Sequence, residues 1–273
     1  SWYWRWLRHV MGWHGYGSFF VEKSGHVREG CGVFFRTDRF DLQARVPVLL
    51  NDRSDPAVMS KYVRVADGSQ TAQQLEAAVD AAEEHEGHSL DAAVARAGGA
   101  GGAERVPGAE ADSDPAGVRA ASIRAATAVQ GAASELSAEW RARPALAEAM
   151  AKVTTTGLVV LLRDRACGDR PLVVANTHLF FHWAAPHVRA LQTASLLRAC
   201  DAVATLEGGR ERCALLFCGD LNATPTTAAH TLLSEGAVEP THRSWGEAAD
   251  FVWGFSKVVQ PKKKDAESAS AEG

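Results

Sequence analysis

Apolar side chains at Trp2, Trp6, Leu7, Val10, Met11 and Trp13 recur at helical spacing and predict an amphipathic helix over residues 2–14. Gly15-Tyr16-Gly17 breaks it. Phe19-Phe20-Val21 then reads as a strand, Lys23–His26 as a turn and Gly30–Arg36 as a second strand, together a hairpin. Arg39–Arg45 alternates and predicts a third strand. Residues 66–135 lose this pattern: they are rich in Ala, Gly, Glu and Ser, with almost no aromatics. Segments such as Ala97–Gly102 and Pro107–Pro115 bury too little apolar area to offset ordering entropy. The expectation is a mostly disordered insertion with transient helix at Ala72–Glu86 and Val118–Ala133.

Regular patterning resumes near Trp140. Leu146–Val153 reads as the end of a helix or the entry to a strand. Gly157–Arg163 is a continuous apolar run, hence a buried strand. Ala166–Arg170 is a turn, and Pro171–His178 returns as a strand paired with the first. Pro186 suits a first helical turn. Val188, Leu191, Ala194, Leu197, Cys200 and Val203 keep helical spacing until Gly208-Gly209. The strand Cys213–Cys218 follows. A helix is expected next, capped by Thr224, with Pro225 in its first turn, Leu232 and Leu233 inward, and Gly236 at its end. Alternating strands and helices predict a layered α/β or α+β domain.

The chemistry collects at two strand ends. The apolar run Cys213–Cys218 leads into Gly219-Asp220-Leu221-Asn222, and Pro171–Ala175 leads into Asn176-Thr177-His178. A carboxylate at Asp220 can hold a hard divalent cation or take a proton from water. The amide of Asn222 can orient that water without changing charge. Residues i and i+2 of an extended segment share a face, so both side chains are expected on one side; the competing reading is an Asx turn that caps the next helix. His178 can stabilise charge on phosphorus or donate to a phosphate oxygen, or it is a structural histidine. Asn176 shares its strand face. His182 sits near a substrate or in a plain loop. Arg189, in a first helical turn, either contacts phosphate or forms an ion pair.

Net charge is −4, so no global basic field points to nucleic acid, although a local groove is compatible with it. Cys31, Cys167, Cys200, Cys213 and Cys218 are odd in number and scattered without a CxxC pair, which reads as reduced buried thiols in a reducing compartment. No apolar stretch reaches membrane-spanning length. Pro261–Lys264 and the residues after it read as a solvated tail.

Three ordered segments carry a resemblance: Val174–His182, then Val188–Gln192, then Leu216–Pro225, with Gly30–Phe40 as a fourth. Together they resemble the endonuclease/exonuclease/phosphatase superfamily, on the branch of the carbon catabolite repressor deadenylases, nocturnin, Angel and the 2′,5′-phosphodiesterases. The wording Thr177–His182 and the segment Ser234…Trp245 look most like the 2′,5′-phosphodiesterases. The resemblance covers roughly residues 1–65 and 140–250. It implies a four-layer α/β sandwich with two packed mixed β-sheets, incomplete at both ends. The nuclease domain would be split into 1–65 and 136–258, around the insertion 66–135 and before a charged tail 259–273.

The resemblance also implies magnesium-dependent (or manganese-dependent) phosphodiester hydrolysis. Asp220 and Asn222 match the catalytic Asp-x-Asn pair and His178 the phosphate-binding histidine, with Asn176 in the same motif. Asp220 is the expected metal ligand; Asn176, His182 and Arg189 are expected at the substrate. Asp250 is a minor candidate on a strand resembling the family's late Asp-Tyr-Ile. The family's Leu-Gln-Glu-Val and Ser-Asp-His motifs do not occur, so the chain is read as a piece that is crippled alone. The expected partner is adenylate-rich RNA, either 2′,5′-linked oligoadenylate or a 3′ poly(A) tail, with no membrane and an intracellular setting, cytoplasmic or mitochondrial. A 3′ deadenylase, a nucleotide phosphatase and a non-catalytic RNA- or partner-binding relative are the alternatives.

Overall fold

Three strands from the second half of the chain and one from the first build the sheet on which the candidate residues sit. The computed structural model describes residues 3–23, 29–51, 116–248 and 251. Helix 72–86, the Pro261–Lys264 tail, Asp250 and most of the turn after Lys23 lie outside the described residues.

A short π-helical segment, Tyr3–Leu7, runs into α1 (Arg8–Trp13). Strands β1 (Tyr16–Glu22) and β2 (Gly30–Arg36) pair antiparallel as the expected hairpin. A four-stranded sheet follows in the order β3 (Phe40–Leu49), β4 (Thr156–Asp164), β5 (Arg170–His178), β6 (Ala214–Asp220). Its first pairings are antiparallel and the last, β5 with β6, is parallel, so this sheet is mixed. The second sheet is the hairpin, whose two strands pair antiparallel among the described residues.

β4 is a run of apolar residues because both its faces are covered, as buried strands require. Val159 and Leu161 face a core built with α2 (Ala116–Arg141) and α4 (Pro186–Ala204). Leu158, Val160 and Leu162 face Val21, Cys31, Val33 and Phe35 of the hairpin. All five β4 side chains are at most 2% exposed, and each large aliphatic side chain fully buried contributes about 1.5–3 kcal/mol. On the outer face of the hairpin, Tyr3 stacks on Phe20 at 4.6 Å, and its hydroxyl lies 2.8 Å from Ser18 Oγ. Helices, sheet, hairpin and N-terminal helix thus form the four expected layers.

Two elements differ from the sequence reading. Val118–Ala133, expected as transient helix in a disordered insertion, belongs to the 26-residue α2. Its small side chains are the reason. Val118, Ser122, Ala125 and Val129 recur at helical spacing and let the helix pack closely on β3 and α4; Ser122 Oγ accepts the Arg45 N–H at 3.0 Å. The helix after β6, α5 (Ala228–Glu235), starts three residues after Pro225 with Thr227 as its N-cap. Thr224-Pro225 instead forms the turn before it, its Thr224 carbonyl accepting from both the N–H and the hydroxyl of Thr227. Leu232 and Leu233 are half-buried, and Ala228 and Ala229 carry the inward face. Two further helices, α3 (Pro144–Lys152) and α6 (Arg243–Glu247), pack beside α4.

Candidate functional site

β5, α4 and β6 form a βαβ unit whose two parallel strands end at the same sheet edge. Outside the carboxyl ends of such strands is where open α/β sheets hold ligands. The register pairs His178 with Asp220, so their side chains leave the sheet side by side. His178 Nε2 lies 3.9 Å from Asp220 Oδ2. Both side chains reach solvent, at 38% and 65% exposure, so a soluble anion can approach them.

The approach of the strands depends on Gly219. Its φ is +135°, and a Cβ there would lie 1.9 Å from the Thr177 carbonyl oxygen, which no side chain can occupy. Beyond it the chain leaves the extended conformation: Asn222 is left-handed at φ +47°. The expectation that Asp220 and Asn222 share one face of an extended segment is therefore corrected. The Asx turn forms instead, with the Asn222 N–H donating to Asp220 Oδ1 at 2.9 Å. It does not cap α5. Asn222 Nδ2 donates to the Leu179 carbonyl at 2.9 Å, while the Leu179 N–H donates to the Asp220 carbonyl. The amide thus locks the two strand tips together and fixes one oxygen of the carboxylate.

Asn176, expected on the strand face of His178, is turned to the hairpin on that face. Its Nδ2 donates to the Gly32 carbonyl at 2.8 Å, a cross-sheet tie. The hairpin end is pinned to the same edge by Thr156, whose hydroxyl donates to the Glu22 carbonyl and whose own carbonyl accepts from Thr177 Oγ1. These ties bring in two residues that the sequence reading missed. Lys23 Nζ lies 3.3 Å from His178 Nδ1 and 2.7 Å from Glu29 Oε2. The Lys23 hydrogen bond holds the Glu29 carboxyl below its ordinary pKa. A cation and an acid flanking a hairpin that ends at the same edge as two chemistry-bearing strands was the available signal.

His182 and Arg189 sit elsewhere. Arg189 is 3% exposed, and its guanidinium donates to the carbonyls of Phe180, His182 and Trp183. It braces the loop after β5 and is not presented to a phosphate, which corrects that expectation. Gln192, fully buried, extends the brace by accepting the Phe180 N–H and donating to the Leu50 carbonyl. His182 Nδ1 accepts the Ala184 N–H, and its ring lies against Phe180, Trp183 and Phe251. Burial and the nearby Arg189 lower its pKa. Both histidine and arginine are spent on the loop, while Phe181 and Trp183 on it are 57% and 64% exposed.

Among the described residues no group of three or more His, Cys, Asp or Glu is placed to hold a metal ion. Asp220 is a single carboxylate anchor. Magnesium tolerates such an anchor because it keeps several waters and takes one or two carboxylates.

No family model matches the chain. It is 28% identical over 92 residues to 2′,5′-phosphodiesterase 12 of Rattus norvegicus, covering 32% of this chain and 14% of that protein. It is 36% identical over 89 residues to Angel homolog 1 of Homo sapiens, covering 30% of this chain and 13% of that protein. Over this segment the chain is similar to the 2′,5′-phosphodiesterase and Angel proteins. The resemblance read from the Asn-Thr-His and Asp-Leu-Asn motifs, to the deadenylase branch of the endonuclease/exonuclease/phosphatase superfamily, is borne out. The matched segment spans 13–14% of the length of these two relatives. Among solved structures, the chain is similar to ANGEL2, a 2′,3′-cyclic phosphatase, at TM-score 0.47 and 17% identity, over 86% of this chain and 40% of that one. It is similar to the human Nocturnin catalytic domain at TM-score 0.45 and 13% identity, over 89% and 57%.

Cys31, Cys200 and Cys213 are buried free thiols and Cys218 is half-buried; Cys167 is exposed, unlike the expectation for a buried set. Burial pushes Cys200 up to about 12, so it carries no thiolate chemistry. No helix of the described residues is long and apolar enough to cross a membrane.

Proposed function

We propose that the tips of β5 and β6 form part of a phosphodiesterase site that hydrolyses adenylate-rich RNA, with 2′,5′-linked oligoadenylate as the first substrate and a 3′ poly(A) end as the second. The observation that carries this reading is the side-by-side placement of Asp220 and His178 at one open sheet edge. The names of the sequence relatives support phosphodiester chemistry, and 2′,5′-linkage in particular.

In this mechanism a phosphoryl oxygen lies over the His178 Nε2 side of the pair. His178 donates a hydrogen bond to that oxygen as negative charge develops on it. The free oxygen of the Asp220 carboxylate takes a proton from the attacking water, or orients it for in-line attack. Asn222 holds the other carboxylate oxygen through its backbone N–H, and so keeps the acid aimed. A magnesium or manganese ion anchored on Asp220 and waters would supply charge neutralisation at the phosphoryl oxygens.

The test is magnesium-dependent hydrolysis of 2′,5′- and 3′,5′-linked triadenylate by the natural protein and its Asp220→Ala variant. The variant is expected to lose about three orders of magnitude in kcat/KM, a barrier increase of about 4 kcal/mol. Near-wild-type turnover by the variant would refute the assignment. Faster turnover of the 3′,5′-linked substrate would favour the deadenylase reading.

A further inference from the structure

His178 touches a lysine on one side and an aspartate on the other, and this determines more than proximity. The Lys23 side chain is only 12% exposed, held at the end of β1 where Thr156 binds the Glu22 carbonyl. Its ammonium has three donors and no acceptor. The 3.3 Å approach of Nζ to His178 Nδ1 is therefore a hydrogen bond only if Nδ1 presents its lone pair. The ring hydrogen then sits on Nε2, the nitrogen 3.9 Å from Asp220 Oδ2 and on the open side of the site. Glu29, 65% exposed, pairs with the same ammonium at 2.7 Å and steadies it from the solvent side.

We propose that Lys23 is a positioning residue that fixes His178 in its Nε2–H tautomer, so that the ring offers the phosphate a donor. This rests on the phosphodiesterase reading above for the word phosphate, but not for the tautomer itself. The competing account makes Lys23 only a partner for Glu29. An ion pair with a solvent-exposed carboxylate contributes little, and it leaves unexplained why the ammonium is turned inward onto the imidazole.

The experiment is long-range proton–nitrogen NMR on protein carrying 15N-histidine, without substrate, at a pH above the imidazole range. The His178 signals are those lost in His178→Gln. The expected wild-type spectrum shows a single tautomer, with Nδ1 pyridine-like and Nε2 pyrrole-like. Lys23→Met is expected to relax it to the two-tautomer mixture of an unconstrained imidazole, measured on N-acetylhistidine. Lys23→Arg, whose guanidinium also only donates, is expected to keep the single tautomer. A wild-type mixture, a wild-type Nδ1–H form, or a Lys23→Met spectrum identical to wild type would overturn the proposal. The wild-type spectrum decides on its own if Lys23→Met does not fold. Since no substrate is present, failure of the hydrolysis reading and failure of the tautomer assignment are read separately.

Discussion

The loops that leave β5 and β6 start side by side and end as opposites. The loop after β5 is rich in groups that look reactive, yet its Arg189 is buried and spent on three backbone carbonyls. The tip of β6 carries fewer polar groups, and its Asp220 carboxylate is 65% exposed with one oxygen aimed by the Asn222 N–H. One loop uses polar atoms to satisfy itself. The other holds them out to solvent against strained backbone. A buried guanidinium turned onto backbone carbonyls is scaffold, and an aimed but exposed carboxylate is available for chemistry.

If the contrast is right, substitutions at the two loops fail in different assays. The largest effect is on turnover: Asp220→Ala removes about three orders of magnitude while costing only about 1 kcal/mol of stability, the loss of the hydrogen bond from the Asn222 N–H. A cooperative loss of stability alongside the activity would place Asp220 in the scaffold instead. Gly219→Ala joins the two regions, because its methyl would meet the Thr177 carbonyl. It is expected to cost about 3–4 kcal/mol in stability, and turnover with it; a wild-type denaturation midpoint would show that the strand tips do not need this approach.

Arg189→Met is the mirror of Asp220→Ala. It strips donors from the carbonyls of Phe180, His182 and Trp183 and is expected to cost about 3 kcal/mol in denaturant unfolding. In protein that remains folded, the His178 spectrum should stay unchanged. A shifted His178 with intact stability would move Arg189 to the site. The smallest effect is acid sensitivity of the braced loop. Burial, then the charge of Arg189, lower the His187 pKa to about 4. A histidine lowered in the folded state keeps its full contribution above the unfolded value near 6.5 and loses it as pH falls toward 4. Stability should therefore fall by about 2–3 kcal/mol across that window. His187→Phe should flatten the loss, measured by denaturation at stepped pH; an unchanged slope would remove His187 as its cause.

Strand and helix identities in the second half were legible in the sequence because each is set by a local pattern. Leu158–Leu162 is apolar throughout since both faces of β4 are covered; α4 was legible as a helix from Pro186 and Gly208, but it is buried around most of its circumference, and Leu191, Ala194 and Leu197 of the expected stripe are only half-buried. Helix α2 was not legible as a packed element: Ala125 and Ser122 stabilise it only through the close approach of β3 and α4, which a composition average hides. At the candidate site, the meeting of Asp220 and His178 was legible because both stand at the ends of predicted strands. Arg189 misled because charge is visible in a sequence and burial is not. Lys23 and Glu29 were missed because their meeting with His178 crosses 155 and roughly 150 positions of chain and depends on how the hairpin lies on the sheet.

The most direct test of the account is to add 2′,5′-triadenylate with magnesium to labelled protein and follow the two loops together by NMR. The account predicts coupled shifts at His178, Asp220 and Asn222, with Arg189 and His187 unmoved. Shifts centred on Arg189 and His187, with His178 and Asp220 silent, would contradict it.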